Sequence, residues 1–136
     1  MSISNSNSDD AGPARVLHIT DGQNYWRQRS AGAPGFVDPS LDSEGFIHCS
    51  TADQFLIPAN ERFQGRNGLV LLVIDAGRLS APLVYEDCCR SGQTFPHVYG
   101  PIDFDAVVGV IDFPPGPEGR FDEPDDLRTS LGRFES

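Results

Sequence analysis

The sequence predicts a small α+β domain in which strands outweigh a few short helices, and three observations carry that prediction. The most apolar runs, Leu69–Ile74 and Ala106–Phe113, are β-branched and too brief for helices. Helix-starting signals are present, but Gly or Pro interrupts each within about two turns. The chain has 136 residues, enough for one hydrophobic core and too few for two. Residues 1–14 are expected to be a disordered amino-terminal tail, 15–114 the globular domain and 115–136 a peripheral tail.

Arg15–Thr20 opens the domain as a strand with Val16, His18 and Thr20 on one face and Leu17 and Ile19 on the other. Asn24–Arg29 is expected to form a short helix, capped by Asp21 or Asn24, with Trp26 packed inward. Ala31–Ser43 carries two Gly and two Pro and reads as an irregular covering loop, of the length that often serves as a lid. Phe46–Ser50 is a strand that delivers His48, Cys49 and Ser50 to a strand-to-helix junction. There Thr51-Ala52-Asp53-Gln54 has the form of a capping box. Pro58 forbids an unbroken helix beyond it, so a turn over Thr51–Ile57 and a restart with Pro58 in the first turn are expected. Leu69–Ile74 is a central strand buried on both faces, Leu83–Glu86 a further strand, and Ala106–Phe113 a second central strand. Between the last two, Asp87–Thr94 reads as an exposed connection and Phe95–Pro101 as a segment stiffened by its two prolines.

Composition excludes several functions. The formal net charge of −10 repels phosphate backbones and anionic bilayers, so nucleic-acid and membrane partners are not expected. No apolar run approaches a membrane span, and the Ser/Asn/Asp-rich start is no secretory signal, which makes the cytoplasm the expected location. All ten basic residues are arginine, which rules out a Schiff-base lysine and leaves guanidinium groups to hold any anion. Three cysteines, with Cys88 and Cys89 adjacent, make no disulfide framework, and without C-x-x-C or H-x-x-x-H spacing no metal is expected.

The chain has three histidines, His18, His48 and His97, each beside an apolar strand, where a neighbouring carboxylate or hydroxyl can tune an imidazole near neutrality. They are candidate catalytic groups meeting at a shared pocket, with Glu86 at a strand end as the carboxylate. Thr20, Ser50 and Thr51 are candidate ligand-binding hydroxyls, the last two beside free N–H groups at a helix start. Arg62 is a candidate anion clamp, and Tyr99 a further ligand-binding candidate. A Ser/His hydrolase is disfavoured because no G-x-S-x-G elbow occurs.

The succession L-H-I-T, E-G-F-I-H-C-S-T, A-N-x-R-F, G-L-V-L-L-V-I-D, Y-E-D, F-P-H-V-Y-G-P-I and D-A-V-V-G-V, over Val16–Phe121, resembles the small bacterial family DUF952. The resemblance implies a bent, split, mixed sheet similar to that of ADP-ribosyltransferases, with a cleft between its halves. It places His18 and Thr20 on the opening strand and Ser50 and Thr51 on a second. The late-strand glutamate of that fold has no unmistakable match, with Glu86 the tentative cation stabiliser.

The expected function is an enzyme acting on a small polar molecule, with NAD or an ADP-ribose-like compound as the ligand suggested by fold analogy. A cofactor-free acid/base enzyme of dehydratase or cyclase type, with His48 and His97 as proton carriers, is the second expectation. A non-catalytic ligand-binding module is the third.

Overall fold

A computed structural model describes residues 14–87 and 90–127. Strand β1 (Arg15–Asp21) pairs antiparallel with β4 (Leu69–Asp75), and β4 with β8 (Val107–Asp112), giving a three-stranded sheet in the order β1-β4-β8. A second sheet runs β3 (Ile47–His48), β6 (Phe95–Val98), β5 (Leu83–Glu86), and a third is the two-residue pair of β2 (Gly35–Phe36) with β7 (Ile102–Asp103). Every pairing among the described residues is antiparallel, so the split sheet is present but is not the mixed one expected.

The two three-stranded sheets meet at one residue pair. Leu17 N–H donates to Ser50 O at 2.7 Å and Ser50 N–H to Leu17 O at 2.8 Å. Beyond that bridge β1 follows β4 while β3 follows β6, and a cleft opens between them. On the β3 side Pro96 accepts from Cys49 N–H but has no N–H to return, which fits a β3 of only two residues.

β4 is the central strand foretold by its composition, with Leu69–Ile74 all buried. Its alternate side chains feed two cores, Val70, Leu72 and Ile74 on one face and Leu69, Leu71 and Val73 on the other. β8 lies at the sheet edge instead of the centre, and most of it is half-buried. Its apolar run contributes to both cores, Val107 and Val110 to one and Val108 and Ile111 to the other, so hydrophobicity alone could not distinguish it from β4.

Helix α1 (Gly22–Ser30) starts where Asp21 accepts from Gln23 N–H at 2.9 Å, and it carries Arg27 and Arg29 in its last turn, where cations suit the helix dipole. It buries Tyr25, between the rings of Phe36 and Phe104, and leaves Trp26 49% exposed. The inward aromatic is therefore Tyr25, not Trp26; neighbouring residues lie about 100° apart on a helix and only one can face the sheet. The expected loop over Ala31–Ser43 contains β2 and helix α2 (Pro39–Glu44). Its Asp-Pro pair acts as a start signal, Asp38 at the cap and Pro39 in the first turn, while Gly45 at φ +90° ends the helix.

After Ser50, the Gln54 side chain accepts from Thr51 N–H at 3.2 Å, half of the expected capping box. The Thr51 hydroxyl turns to Asp53 instead, and helix α3 (Leu56–Arg62) begins only after a turn, with Pro58 in its first turn as expected. The stretch after Pro114 is not merely peripheral. Phe121 stacks on Phe113 at 4.7 Å, exchanges two hydrogen bonds with the Asn60 amide, and is buried together with Leu127. The expected tail at 1–14 and the Cys88-Cys89 pair fall almost wholly outside the described residues.

Phe121→Ala removes a ring that is 2% exposed and is expected to cost about 3 kcal/mol or more, read as a lower midpoint in urea unfolding with an unchanged slope. A loss below about 1 kcal/mol would return the 115–136 segment to the periphery.

Candidate functional site

The cleft at the split has a volume of about 860 Å³, and all three histidines line it. Each imidazole arrives from a different strand, and each is met by its own carboxylate.

His18 is on β1, 4% exposed. Its Nδ1 donates to the His48 carbonyl at 2.6 Å and its Nε2 to Asp38 Oδ1 at 3.2 Å. Both ring nitrogens therefore face oxygen acceptors, an arrangement that only the doubly protonated ring satisfies. Burial by itself would lower this pKa, but the Asp38 carboxylate, with the Cys49 side chain adding to it, raises it to about 10. Asp38 is equally well held. It accepts from the Thr20 hydroxyl at 3.3 Å, the Ser40 amide at 3.2 Å and the Ser40 hydroxyl at 3.0 Å. Against the opposing effect of burial, the His18 charge and the Ser40 bonds keep its carboxyl well below the usual range.

His48 and His97 are cross-strand partners in the β3–β6 ladder, so their side chains leave the same face. Their rings are edge to face, 5.2 Å apart, and the buried Phe46 ring wedges against both at 4.9 and 4.1 Å. His48 Nε2 lies 3.0 Å from Glu44 Oε1, a pair made possible because Gly45 turns the chain from α2 into β3. Burial lowers the His48 pKa despite Glu44, and the nearby charges of Arg62 and His97 lower it further, which leaves this ring neutral at pH 7. His97 Nδ1 is 2.9 Å from Glu86 Oε1, and the same oxygen accepts from the Tyr99 hydroxyl. Tyr99 and His97 together hold the Glu86 carboxyl below its ordinary value.

The expected site residues thus divide in three. His18, Thr20, His48, Ser50, Arg62 and His97 line the cleft. Glu86 and Tyr99 stand behind His97 and outside the cleft lining, so Glu86 is placed to orient an imidazole rather than to meet a developing cation. Thr51 does not line it either, and because α3 starts at Leu56 the expected helix start beside Ser50 and Thr51 is not there. Among the described residues no cluster of His, Cys, Asp and Glu could hold a metal. No helix among them is long and apolar enough to cross a membrane.

Sequence reasoning missed Asp38, Ser40, Glu44 and Phe46. Two signals were available. Asp38 precedes a proline as a helix cap should, and Glu44 stands four residues before His48 across a glycine.

A family model described as "Protein of unknown function (DUF952)" matches residues 20–110. The crystal structure of protein CC0527 from Caulobacter crescentus is similar with a TM-score of 0.72 and 26% identity, covering 87% of this chain and 98% of that one. A solution NMR structure of the same protein gives a TM-score of 0.67 at 26% identity, covering 86% and 97%. No curated protein matches the chain.

The buried pair predicts a pH dependence. His18 is raised on folding, so its contribution is complete below about 6.5, the ordinary value, and is lost as pH climbs toward about 10. Asp38 is lowered, so its contribution is present above 3.8, its ordinary value, and is lost in stronger acid. Asp38→Asn should therefore cost about 3 kcal/mol near pH 6, with the gap to the parent narrowing toward pH 10. Urea unfolding across that range, with ¹⁵N shifts showing both His18 nitrogens protonated at pH 8, checks it; a gap that does not change with pH would refute the charged pair.

Proposed function

The chain belongs to the DUF952 family, and from that premise we propose that its cleft is the active centre of an acid/base enzyme acting on a small polar molecule, with His48 and His97 as its proton carriers. The observation that carries the proposal is the pair of rings 5.2 Å apart on adjacent strands, each with one nitrogen engaged by its own carboxylate, at a cavity of about 860 Å³. A carboxylate on one ring nitrogen fixes the tautomer and leaves the other nitrogen to exchange protons with substrate. His48, neutral at pH 7, serves as the base, and His97, backed by Glu86 and Tyr99, serves on the other side of the reacting carbon. His18 has no free ring nitrogen. It contributes a fixed positive charge at the cleft floor, which favours an oxyanion or enolate developing above it. Ser50 and Thr20 supply hydroxyls near the same floor.

A second reading, with NAD or an ADP-ribose-like ligand on an ADP-ribosyltransferase-like fold, draws support from the split sheet, the size of the cleft, and His18 and Thr20 on the opening strand. The position of Glu86 weighs against it, because a carboxylate tied to His97 and Tyr99 outside the cleft is badly placed to stabilise a ribosyl cation. Acid/base chemistry at the two rings uses that carboxylate where it stands.

Solvent-deuterium uptake into a panel of small hydroxy and keto acids and their phosphate esters, followed by proton NMR, tests the proposal. Exchange is expected to have a bell-shaped pH profile, to fall by roughly 10²–10⁴ in His97→Ala, and to show a displaced profile in Glu86→Gln. Release of nicotinamide from NAD would instead select the second reading, and a ligand that binds but neither exchanges nor turns over would mean a binding module.

A further inference from the structure

The chain is acidic overall, yet three of its arginines line the cleft. It has 20 Asp and Glu against 10 Arg. Among the described residues the arginine ion pairs are those of Arg15 and Arg78, which share Asp75 away from the cleft. Arg27 of α1, Arg62 at the end of α3 and Arg66 in the following turn all line the cleft, and among the described residues none of the three is within ion-pair distance of a carboxylate. Arg27 donates to the uncharged Asn24 amide oxygen, and Arg66 lies 5.4 Å over the Phe63 ring, which orders the guanidinium without neutralising it.

The carboxylates on the same cleft are mostly committed elsewhere. Asp38 and Glu44 belong to imidazoles, Asp21 caps α1, and Asp87 accepts from the Ser91 and Gly92 amides. Glu61 is the remaining acidic lining group, and the three guanidiniums come from two stretches of chain, α1 and the end of α3 with the turn after it. Guanidiniums that face a cavity without carboxylate partners give an anionic ligand fixed cationic donors to rest on, even in a protein whose overall field repels anions. Guanidinium groups suit phosphate in particular, because their planar donors bind its oxygens in pairs and stay charged at every relevant pH.

We infer that Arg27, Arg62 and Arg66 form an anion-binding wall, and that the cleft takes a phosphorylated small molecule, an ester or diphosphate, whose charged end rests on the arginines while its reacting end meets His48 and His97. The placement of the reacting end rests on the acid/base reading above; the arginine wall does not. This narrows the substrate from any small polar molecule to one carrying at least two negative charges on phosphorus.

Isothermal titration with inorganic pyrophosphate, and with malonate as a carboxylate control, separates the two claims because it needs no turnover. Pyrophosphate is expected to bind, to weaken as salt is added, and to lose roughly ten-fold or more in affinity in the Arg62→Gln, Arg66→Gln double variant. These side chains are exposed, so folding should be preserved, which a thermal melt of the unliganded variant checks. His97→Ala is expected to bind pyrophosphate like the parent, so a failed exchange assay with intact binding would remove the catalytic reading alone. Absence of pyrophosphate binding at millimolar concentration, equal affinity in the double variant, or malonate binding as tightly as pyrophosphate would each overturn the phosphate site.

Discussion

A single exchange of backbone hydrogen bonds between Leu17 and Ser50 decides the shape of this molecule. Were β1 and β3 paired along their length, the chain would close one continuous sheet and leave no cavity. Because they meet at one residue pair, the two sheets diverge beyond it, and the residues flanking the bridge, His18 on one side and His48 on the other, are left at the apex of the opening. The His18 to His48 carbonyl bond lies at that apex, so the bridge and the first imidazole form one connected unit.

That geometry raises a problem of charge. Imidazoles brought together in a partly buried space must be kept neutral or be paired, since an unpaired charge away from water is costly. Each histidine here has its own carboxylate, and two of the three come from one short helix. Asp38 caps α2 and Glu44 is its last residue, so six helical residues span the distance between the partners of His18 and His48. The outcome differs by environment. His18, facing only acceptors, is held charged by Asp38 against its burial, whereas His48 is held neutral by burial, with Arg62 adding to it, against an exposed carboxylate partner. Two imidazoles of one cleft thereby hold opposite protonation states at the same pH, one set by its carboxylate and the other by burial.

The arginines extend the same logic outward. Inside the cleft each imidazole is met by a carboxylate; on its wall, three guanidiniums are left without carboxylate partners among the described residues. Under the proposed function, a cleft with paired imidazoles at its floor and unpaired guanidiniums on its wall would distinguish the two ends of a bound molecule, holding one by charge and exposing the other to proton transfer.

Much of this was legible in the sequence because it depends on local pattern. The β-branched run Leu69–Ile74 determined a buried strand, alternation in Val16-Leu17-His18-Ile19-Thr20 placed His18 and Thr20 on one face, and Pro58 forced a helix restart, each through chain stereochemistry that neighbours do not change. The gathering of three imidazoles could be conjectured from the sequence but lay beyond any local pattern, because it depends on strand order and on where pairing stops. Whether β8 was central or at an edge, whether Tyr25 or Trp26 faced the core, and whether Glu86 met the cleft or backed His97 were likewise settled by packing between segments far apart in the chain. The carboxylate partners show the division most clearly: a sequence displays Asp38 as a plausible cap and Glu44 as a charged residue before a glycine, but only three-dimensional proximity turns a cap and a surface acid into the partners of two histidines.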